Sequence, residues 1–113
     1  MRRGDVWWVS FGPAMGGEIT KVRPAVIVSN DVSNSLLNRL QVVPLTSSVA
    51  RVYPSEALVT VAGRRSKAMA DQVSTVSKLR LKERLGLLAP EDMDRVEHAI
   101  KVQLGLLGPL GGS

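Results

Sequence analysis

The sequence of 113 residues contains no cysteine and a single histidine, His98. The absence of cysteine excludes disulfides, thiolate nucleophiles and thiolate metal sites. One histidine excludes a two-imidazole acid–base pair and a multi-histidine metal site. Walker, HExxH and GxSxG motifs are also missing. We therefore expect no metal site and no cofactor, and we expect His98 to be a solvated surface residue.

Long hydrophobic runs are also missing. No segment approaches the roughly 20 apolar residues that a membrane span requires. The first residues, MRRGDVWWVSF, contain two arginines but no apolar core of signal-peptide length. A chain of this length and composition is expected to form one soluble, cytoplasmic domain.

The charge of the chain is strongly basic. It has 15 Lys and Arg against 10 Asp and Glu, a net charge of +5 and a pI near 10.2. Such a surface attracts polyanions, and nucleic acid is the commonest of these. The basic residues that could form a phosphate track, or be solvated charges only, are Arg2, Arg3, Lys21, Arg51, Arg64, Arg65 and Lys67.

Short segments rich in Val, Ile, Trp or Thr alternate with clusters of Gly, Pro, Ser and Asn. This pattern predicts β-strands at 5–11, 24–30, 40–46, 56–61 and 66–76. Several short strands at this spacing favour a small barrel or sandwich.

The pattern changes to a helical period after Pro90, which is a favoured first helical residue. The apolar residues that recur every three or four positions are Met93, Val96, Ile100, Leu104 and Leu107. We expect this stripe to pack on the sheet. The predicted domain covers residues 1–108, and the glycine-rich residues 109–113 are predicted to be a flexible tail.

The step from Arg23 to Pro24 stands directly before an apolar strand. Proline restricts the residue before it to extended conformations, so the guanidinium is fixed at the strand entrance. Another predicted strand ends with Thr46, Ser47 and Ser48. If these two strand ends meet, an arginine and a hydroxyl converge on a site suited to a phosphate.

Trp7 and Trp8 are neighbours on a predicted strand, so one side chain faces the core and the other faces outward. The outward indole could cover a dimer contact or stack on a nucleobase.

Four separated motifs occur in an order that resembles the MazF/PemK family of toxin–antitoxin endoribonucleases. They are RRGDVWWVSFGPAMGGEITKVRPAVIVSND, VVPLTSS, YPSEALV and ADQVSTVSKLRL. The resemblance implies a mainly β fold, a small SH3-like barrel with a C-terminal helix, and a homodimer. It also implies a growth-inhibiting toxin that cleaves single-stranded RNA without a metal ion, leaving 2′,3′-cyclic phosphate and 5′-hydroxyl ends. An acidic, MazE-like antitoxin is the implied protein partner.

The resemblance assigns catalytic roles to Arg23 and Thr46, with Ser47 and Lys21 as substrate-binding neighbours. It matches the family's loop glutamate to Glu18, which would accept the proton of the 2′-hydroxyl or only order the loop. Gly17 stands where relatives often carry a small or hydroxyl residue, so a hydrogen bond from that side chain is lost. Loop 12–22 is predicted to be the moving part of the site.

The Asp-Gln step of the family matches Asp71 and Gln72, which are expected to bind substrate or, alternatively, to be buried polar residues that stabilise the barrel. Some relatives carry an arginine two residues before the acid, but this chain has Met69. That difference leaves more of the chemistry to Arg23.

Two other functions fit parts of the sequence. A toxin of the same fold that poisons a DNA topoisomerase would not be an enzyme, and an SH3-like nucleic-acid-binding module would explain only the charge. Neither requires Glu18, Arg23 and Thr46 together, so the endoribonuclease is favoured.

Overall fold

The computed structural model of the chain describes residues 1–12 and 21–107. Seven strands and two α-helices make up this part of the protein. The strands are β1 (Asp5–Ser10), β2 (Val22–Ile27), β3 (Arg39–Thr46), β4 (Glu56–Val61), β5 (Arg64–Met69), β6 (Ser74–Ser77) and β7 (Leu81–Leu87). The helices are α1 (Asp31–Leu36) and α2 (Pro90–Gln103). The mainly β fold with a C-terminal helix that the sequence predicts is confirmed.

All neighbouring strands pair antiparallel, in the order β4-β5-β3-β2-β1-β7. Strand β6 is not part of this order and pairs antiparallel with β3. The sheet is curled, because its two ends approach each other. A Cβ atom on Gly86 of β7 would lie 3.1 Å from the Cγ2 atom of Val61 on β4. A side chain at this position would press on Val61, so glycine suits the close approach of these strands.

Each face of the sheet buries its own apolar cluster. Val6, Val26 and Val43 belong to the larger one, where α2 contributes its apolar stripe. The smaller cluster includes Val9 and Ile27, and Trp7 and Phe11 pack against it. The side chains alternate between the two faces along β1 and β2, as strand geometry requires.

Helix α2 begins at Pro90, as the sequence predicts, and covers the edge of β4. The Asp92 carboxylate accepts a hydrogen bond of 2.9 Å from the backbone N–H of Thr60. Arg95 donates to the carbonyl oxygen of Leu58 at 3.4 Å and forms an ion pair with Asp92. The helix thus satisfies backbone groups that an edge strand would leave unpaired.

Parts of the sequence prediction are wrong. The strand predicted at 66–76 is two strands, because a 3-10 turn at Ala70–Gln72 separates β5 from β6. Helix α2 ends at Gln103, so Leu107 lies beyond it, and Leu104 is exposed. No element was predicted for α1 or β7.

Residue 108 and the predicted tail at 109–113 lie outside the described residues. Among the helices of residues 1–12 and 21–107, none is long and apolar enough to cross a membrane.

Candidate active site

Strand β3 changes its pairing partner at the residues that form the candidate site. It pairs with β2 only as far as Ala25 and Pro44, and its last two residues pair instead with β5. Pro24 and Pro44 have no backbone N–H, which limits a ladder between β2 and β3. The two strands therefore separate at this end, and the separation opens a cleft in the curled sheet.

Arg23 and Thr46 stand on the two strands where they separate. Each lies two residues beyond the Ala25–Pro44 pair, on the same sides of β2 and β3 as those residues. Because alternate side chains share a face, Arg23 and Thr46 project from the same face of the sheet. Both are half-buried.

The larger of two clefts at this end, which we name the central cleft, has a volume of about 750 Å³. It is lined by Trp8, Arg23, Pro24, Leu45, Thr46, Ser47, Val61, Ala62, Gly63, Arg64, Arg65, Ser66 and Leu85. It therefore brings together three of the residues selected from the sequence: Arg23, Thr46 and Ser47.

The smaller cleft, which we name the side cleft, has a volume of about 380 Å³ and is lined by Phe11, Lys21, Arg23, Pro44, Gln72 and Ser74. It brings Lys21 and Gln72 to Arg23, which lines both clefts. Asp71 lines neither cleft. Asp71 and Gln72 are both exposed, so the alternative that they are buried polar residues is wrong.

The polar groups at the cleft are arranged to bind an anion. Thr46 Oγ1 accepts a hydrogen bond of 3.3 Å from the backbone N–H of Ser48, which leaves the hydroxyl proton available for a ligand. Within residues 1–12 and 21–107, Arg23 forms no ion pair. A guanidinium and a hydroxyl at one cleft can donate together to a phosphate oxygen.

Behind Thr46 lies a buried ion pair that no pattern in the sequence predicts. Lys67, the β5 partner of Thr46, is 9% exposed. Its Nζ atom lies 3.2 Å from the Glu56 carboxylate and donates to the carbonyl oxygen of Arg51 at 2.8 Å. Glu56 also accepts from the backbone N–H of Tyr53 at 2.9 Å. These bonds anchor the segment that follows Thr46 to the sheet.

The tip of the β4–β5 hairpin presents two more arginines to the central cleft. Ala62 and Gly63 form its two-residue loop, and both have positive φ angles, of 51° and 74°. This is the geometry of a type I′ turn, whose twist matches that of the flanking strands. Arg64 and Arg65 follow at once, and both are exposed. In the sequence, these two arginines are distinguished only as members of the basic set.

Two of the predicted site residues, Glu18 and Gly17, lie outside the described residues, as does most of loop 12–22. In the part of the chain that the structure describes, no group of three or more His, Asp or Glu side chains could hold a metal ion.

Comparison with known proteins identifies related sequences over almost the whole chain. A family model described as "PemK-like, MazF-like toxin of type II toxin-antitoxin system" matches residues 2–104. Endoribonuclease MazF9 of Mycobacterium tuberculosis is 38% identical, over 94% of this chain and 98% of the relative. Endoribonuclease MazF of Staphylococcus saprophyticus is 32% identical, over 94% of this chain and 92% of the relative.

Solved structures share the fold. A mycobacterial endoribonuclease in complex with its cognate antitoxin superposes with a TM-score of 0.79 at 26% identity, over 96% of this chain and 99% of that one. A MazE–MazF crystal structure from Deinococcus radiodurans gives a TM-score of 0.80 at 26% identity, over 95% of this chain and 97% of that one.

Proposed function

We propose that the protein cleaves single-stranded RNA with Arg23 and Thr46 as its catalytic residues. The chain belongs to the PemK-like, MazF-like toxin family of type II toxin–antitoxin systems and is an endoribonuclease. The observation that carries the proposal is that these two side chains share one face of the sheet and one cleft. The two non-enzymatic alternatives have no support from the named relatives, which are endoribonucleases.

In the proposed reaction, the ribose 2′-oxygen attacks the adjacent phosphorus and loses its proton. The bond from phosphorus to the 5′-oxygen breaks, and that oxygen gains a proton. The products are a 2′,3′-cyclic phosphate and a 5′-hydroxyl, and no metal ion takes part. Negative charge grows on the phosphate oxygens during this step, so donors that are already in position lower the barrier.

Arg23 is proposed to stabilise that charge. A guanidinium stays protonated in proteins, so it suits a donor and not a general base. Thr46 would donate to the same phosphate, with Ser47 beside it. Lys21 and Gln72 in the side cleft, with Asp71 directly before Gln72 in the chain, are proposed to hold the neighbouring part of the RNA. Glu18, with Gly17 before it, would accept the 2′-hydroxyl proton or order its loop.

The test is to incubate the purified protein with a mixed-sequence pool of single-stranded RNA in excess chelator and to identify the new ends. We expect cyclic phosphate and 5′-hydroxyl ends, and we expect them to disappear with Arg23→Ala. Arg39→Ala is a matched control, because Arg39 is exposed at the opposite end of β3. Intact RNA with the wild-type protein would refute the proposal.

A protein antitoxin is the second proposed partner. One structural neighbour is described in complex with its cognate antitoxin, and the net charge of +5 on this chain suits an acidic segment. The expected result is that a co-expressed acidic antitoxin co-purifies with the protein and blocks RNA cleavage. Full cleavage by a purified complex would contradict this.

A homodimer is also proposed. Val32 and Leu36, one turn apart on α1, are 70% and 76% exposed, and Leu79 is 86% exposed. The carbonyl oxygen of Asn38, just after α1, accepts from the backbone N–H of Lys78, which joins the segment that carries Leu79 to the end of α1. A second copy would cover these exposed apolar side chains. Light scattering should show a dimer that Leu36→Glu dissociates, and a monomeric wild-type protein would contradict the proposal.

A further inference from the structure

The central cleft contains two features that the proposed reaction at Arg23 and Thr46 does not use. One is the indole of Trp8, and the other is the arginine pair at the β4–β5 hairpin. The cleft volume of about 750 Å³ exceeds what one phosphate needs and falls within the range of about 300–1,000 Å³ that is typical of small-ligand sites.

Trp8 is the more exposed of the two neighbouring tryptophans. Trp7 packs against the smaller apolar cluster, whereas Trp8 is 36% exposed and lines the cleft. Its cross-strand partner on β2 is Pro24, so Trp8 and Arg23 belong to opposite faces of the sheet, and both line the cleft where β2 and β3 separate. An exposed indole held on a paired strand offers a fixed aromatic surface, and nucleobases of every kind stack on such surfaces.

The arginine pair is also held in a fixed position. The type I′ turn at Ala62 and Gly63 leads directly into paired strands, with Arg64 opposite Val61 and Arg65 opposite Thr60. Neither arginine forms an ion pair with any carboxylate in residues 1–12 and 21–107. Both arginines line the central cleft, and Arg65 also lines a smaller cleft beside Asp92 and Arg95. A guanidinium group without a carboxylate partner is suited to bind a phosphate through two parallel hydrogen bonds.

We propose that the central cleft is a nucleotide subsite, in which Trp8 stacks on a base next to the cleaved phosphate and Arg64 and Arg65 bind the following phosphate. This inference rests on the proposed function, because Arg23 and Thr46 line the same cleft and would hold the cleaved phosphate beside the subsite. An aromatic plane with adjacent guanidinium groups matches the two parts of a nucleotide, its flat base and its charged phosphate.

The subsite contributes binding that is present before and during the reaction. Interactions of this kind lower KM and leave kcat unchanged, whereas a donor that acts only in the transition state raises kcat. Trp8→Ala, and the double variant Arg64→Ala/Arg65→Ala, should therefore raise KM for a short RNA by roughly tenfold with little change in kcat. Trp8→Phe should recover most of the affinity, because phenylalanine also stacks.

Fluorescence gives a binding readout that does not depend on cleavage. The variant Trp7→Phe leaves Trp8 as the sole tryptophan, and it removes an indole N–H that is buried with no hydrogen-bond partner among the described residues. The probe is a short RNA oligonucleotide that carries 2′-deoxyribose at the cleavage position. Its binding should quench Trp8 and should weaken about tenfold with Arg64→Ala/Arg65→Ala. Arg39→Ala serves as the matched charge control.

The possible failures are distinguishable. If the wild-type protein cleaves RNA but the Trp8 and hairpin variants bind and cleave it within twofold of wild type, the subsite is refuted and the proposed function stands. If RNA quenches Trp8 but the wild-type protein cleaves no RNA, the proposed function is refuted, and only the binding of RNA at Trp8 is supported. If an acidic peptide quenches Trp8 and the RNA probe does not, the subsite is refuted. Circular dichroism of each variant verifies that it is folded.

Discussion

Lys67 and Arg65 lie two residues apart on β5, yet they have opposite surroundings. Lys67 is buried against Glu56 and a backbone carbonyl, whereas Arg65 is exposed at the central cleft without an ion-pair partner in the described residues. Burial of a charge is costly unless it is paired, so the Lys67 charge is neutralised within the fold. The charges at the cleft have no such partner, which leaves them available to a ligand. The comparison predicts that paired charges control stability and cleft charges control activity.

Removal of one partner of the buried pair should have the largest effect. Glu56→Ala leaves the Lys67 ammonium buried without a counter-charge, so the free energy of unfolding should fall by about 3–5 kcal/mol. Urea denaturation measures this. The double variant Glu56→Leu/Lys67→Met should recover most of the loss, because no charge is left buried. The exposed Glu83 provides a control, and an equal loss with Glu83→Ala would contradict the argument.

Arg23→Ala should lower activity and leave stability almost unchanged, unlike Glu56→Ala. Loss of one donor to the developing charge should lower kcat for RNA cleavage by about 100- to 1000-fold, which corresponds to about 2.7–4 kcal/mol. The free energy of unfolding should change little, because no ion pair to Arg23 exists in the described residues. Arg84 is the comparison residue, since it pairs with Asp5 at 3.2 Å and lines neither cleft. Arg84→Ala should leave kcat unchanged, and an equal loss of kcat would refute the distinction.

Asp92 on α2 is another paired charge, so its removal should reduce stability and not activity. Asp92→Ala removes the acceptor of the Thr60 N–H and the partner of Arg95, so the protein should lose about 1–3 kcal/mol of stability and retain its kcat. Asp94, exposed on the same helix, is the matched control. Thermal unfolding of Asp94→Ala should stay within about 0.5 kcal/mol of wild type. A loss of activity in stable Asp92→Ala protein would contradict the assignment of Asp92 to the fold.

The sequence predicts the paired strands well because their residues alternate or form short apolar runs, as β4 at Glu56–Val61 does. Strand β7 escapes prediction because Lys82, Glu83 and Arg84 give it a polar, exposed centre that suits an edge strand. Helix α1 is too short for a periodic pattern. Its one local signal is Asn30, whose side chain accepts from the N–H of Ser33 as an N-cap does.

The candidate site was predictable only where local chemistry determines it. Proline fixes the backbone around Arg23, and a strand end is visible at Thr46. The burial of Lys67 depends on Glu56, which comes from another strand, and no periodic pattern shows that pairing. The shared cleft of Trp8 and Arg65 likewise arises from the curl of the sheet, which brings distant segments together.

Asp31 is a paired charge that is exposed, and its removal should have the smallest effect on stability. Its pKa is lowered from 3.8, chiefly by the backbone N–H of Arg3 at 2.8 Å and then by the side chain of Asn34. A lowered pKa means that the folded state stabilises the ionised form of the Asp31 carboxyl group more than the unfolded state does. The resulting stability is present above the unfolded pKa of 3.8 and is lost as the pH falls through the folded pKa.

Asp31→Asn should therefore lower Tm slightly at pH 7, and the difference from wild type should shrink as the pH falls below about 4. Differential scanning calorimetry of both proteins across this range measures it. RNA cleavage at pH 7 should not change, because Asp31 lines neither cleft. A Tm difference that grows in acid would mean that the Asp31 carboxylate does not stabilise the fold, and that exposed paired charges follow a different rule from the buried Lys67.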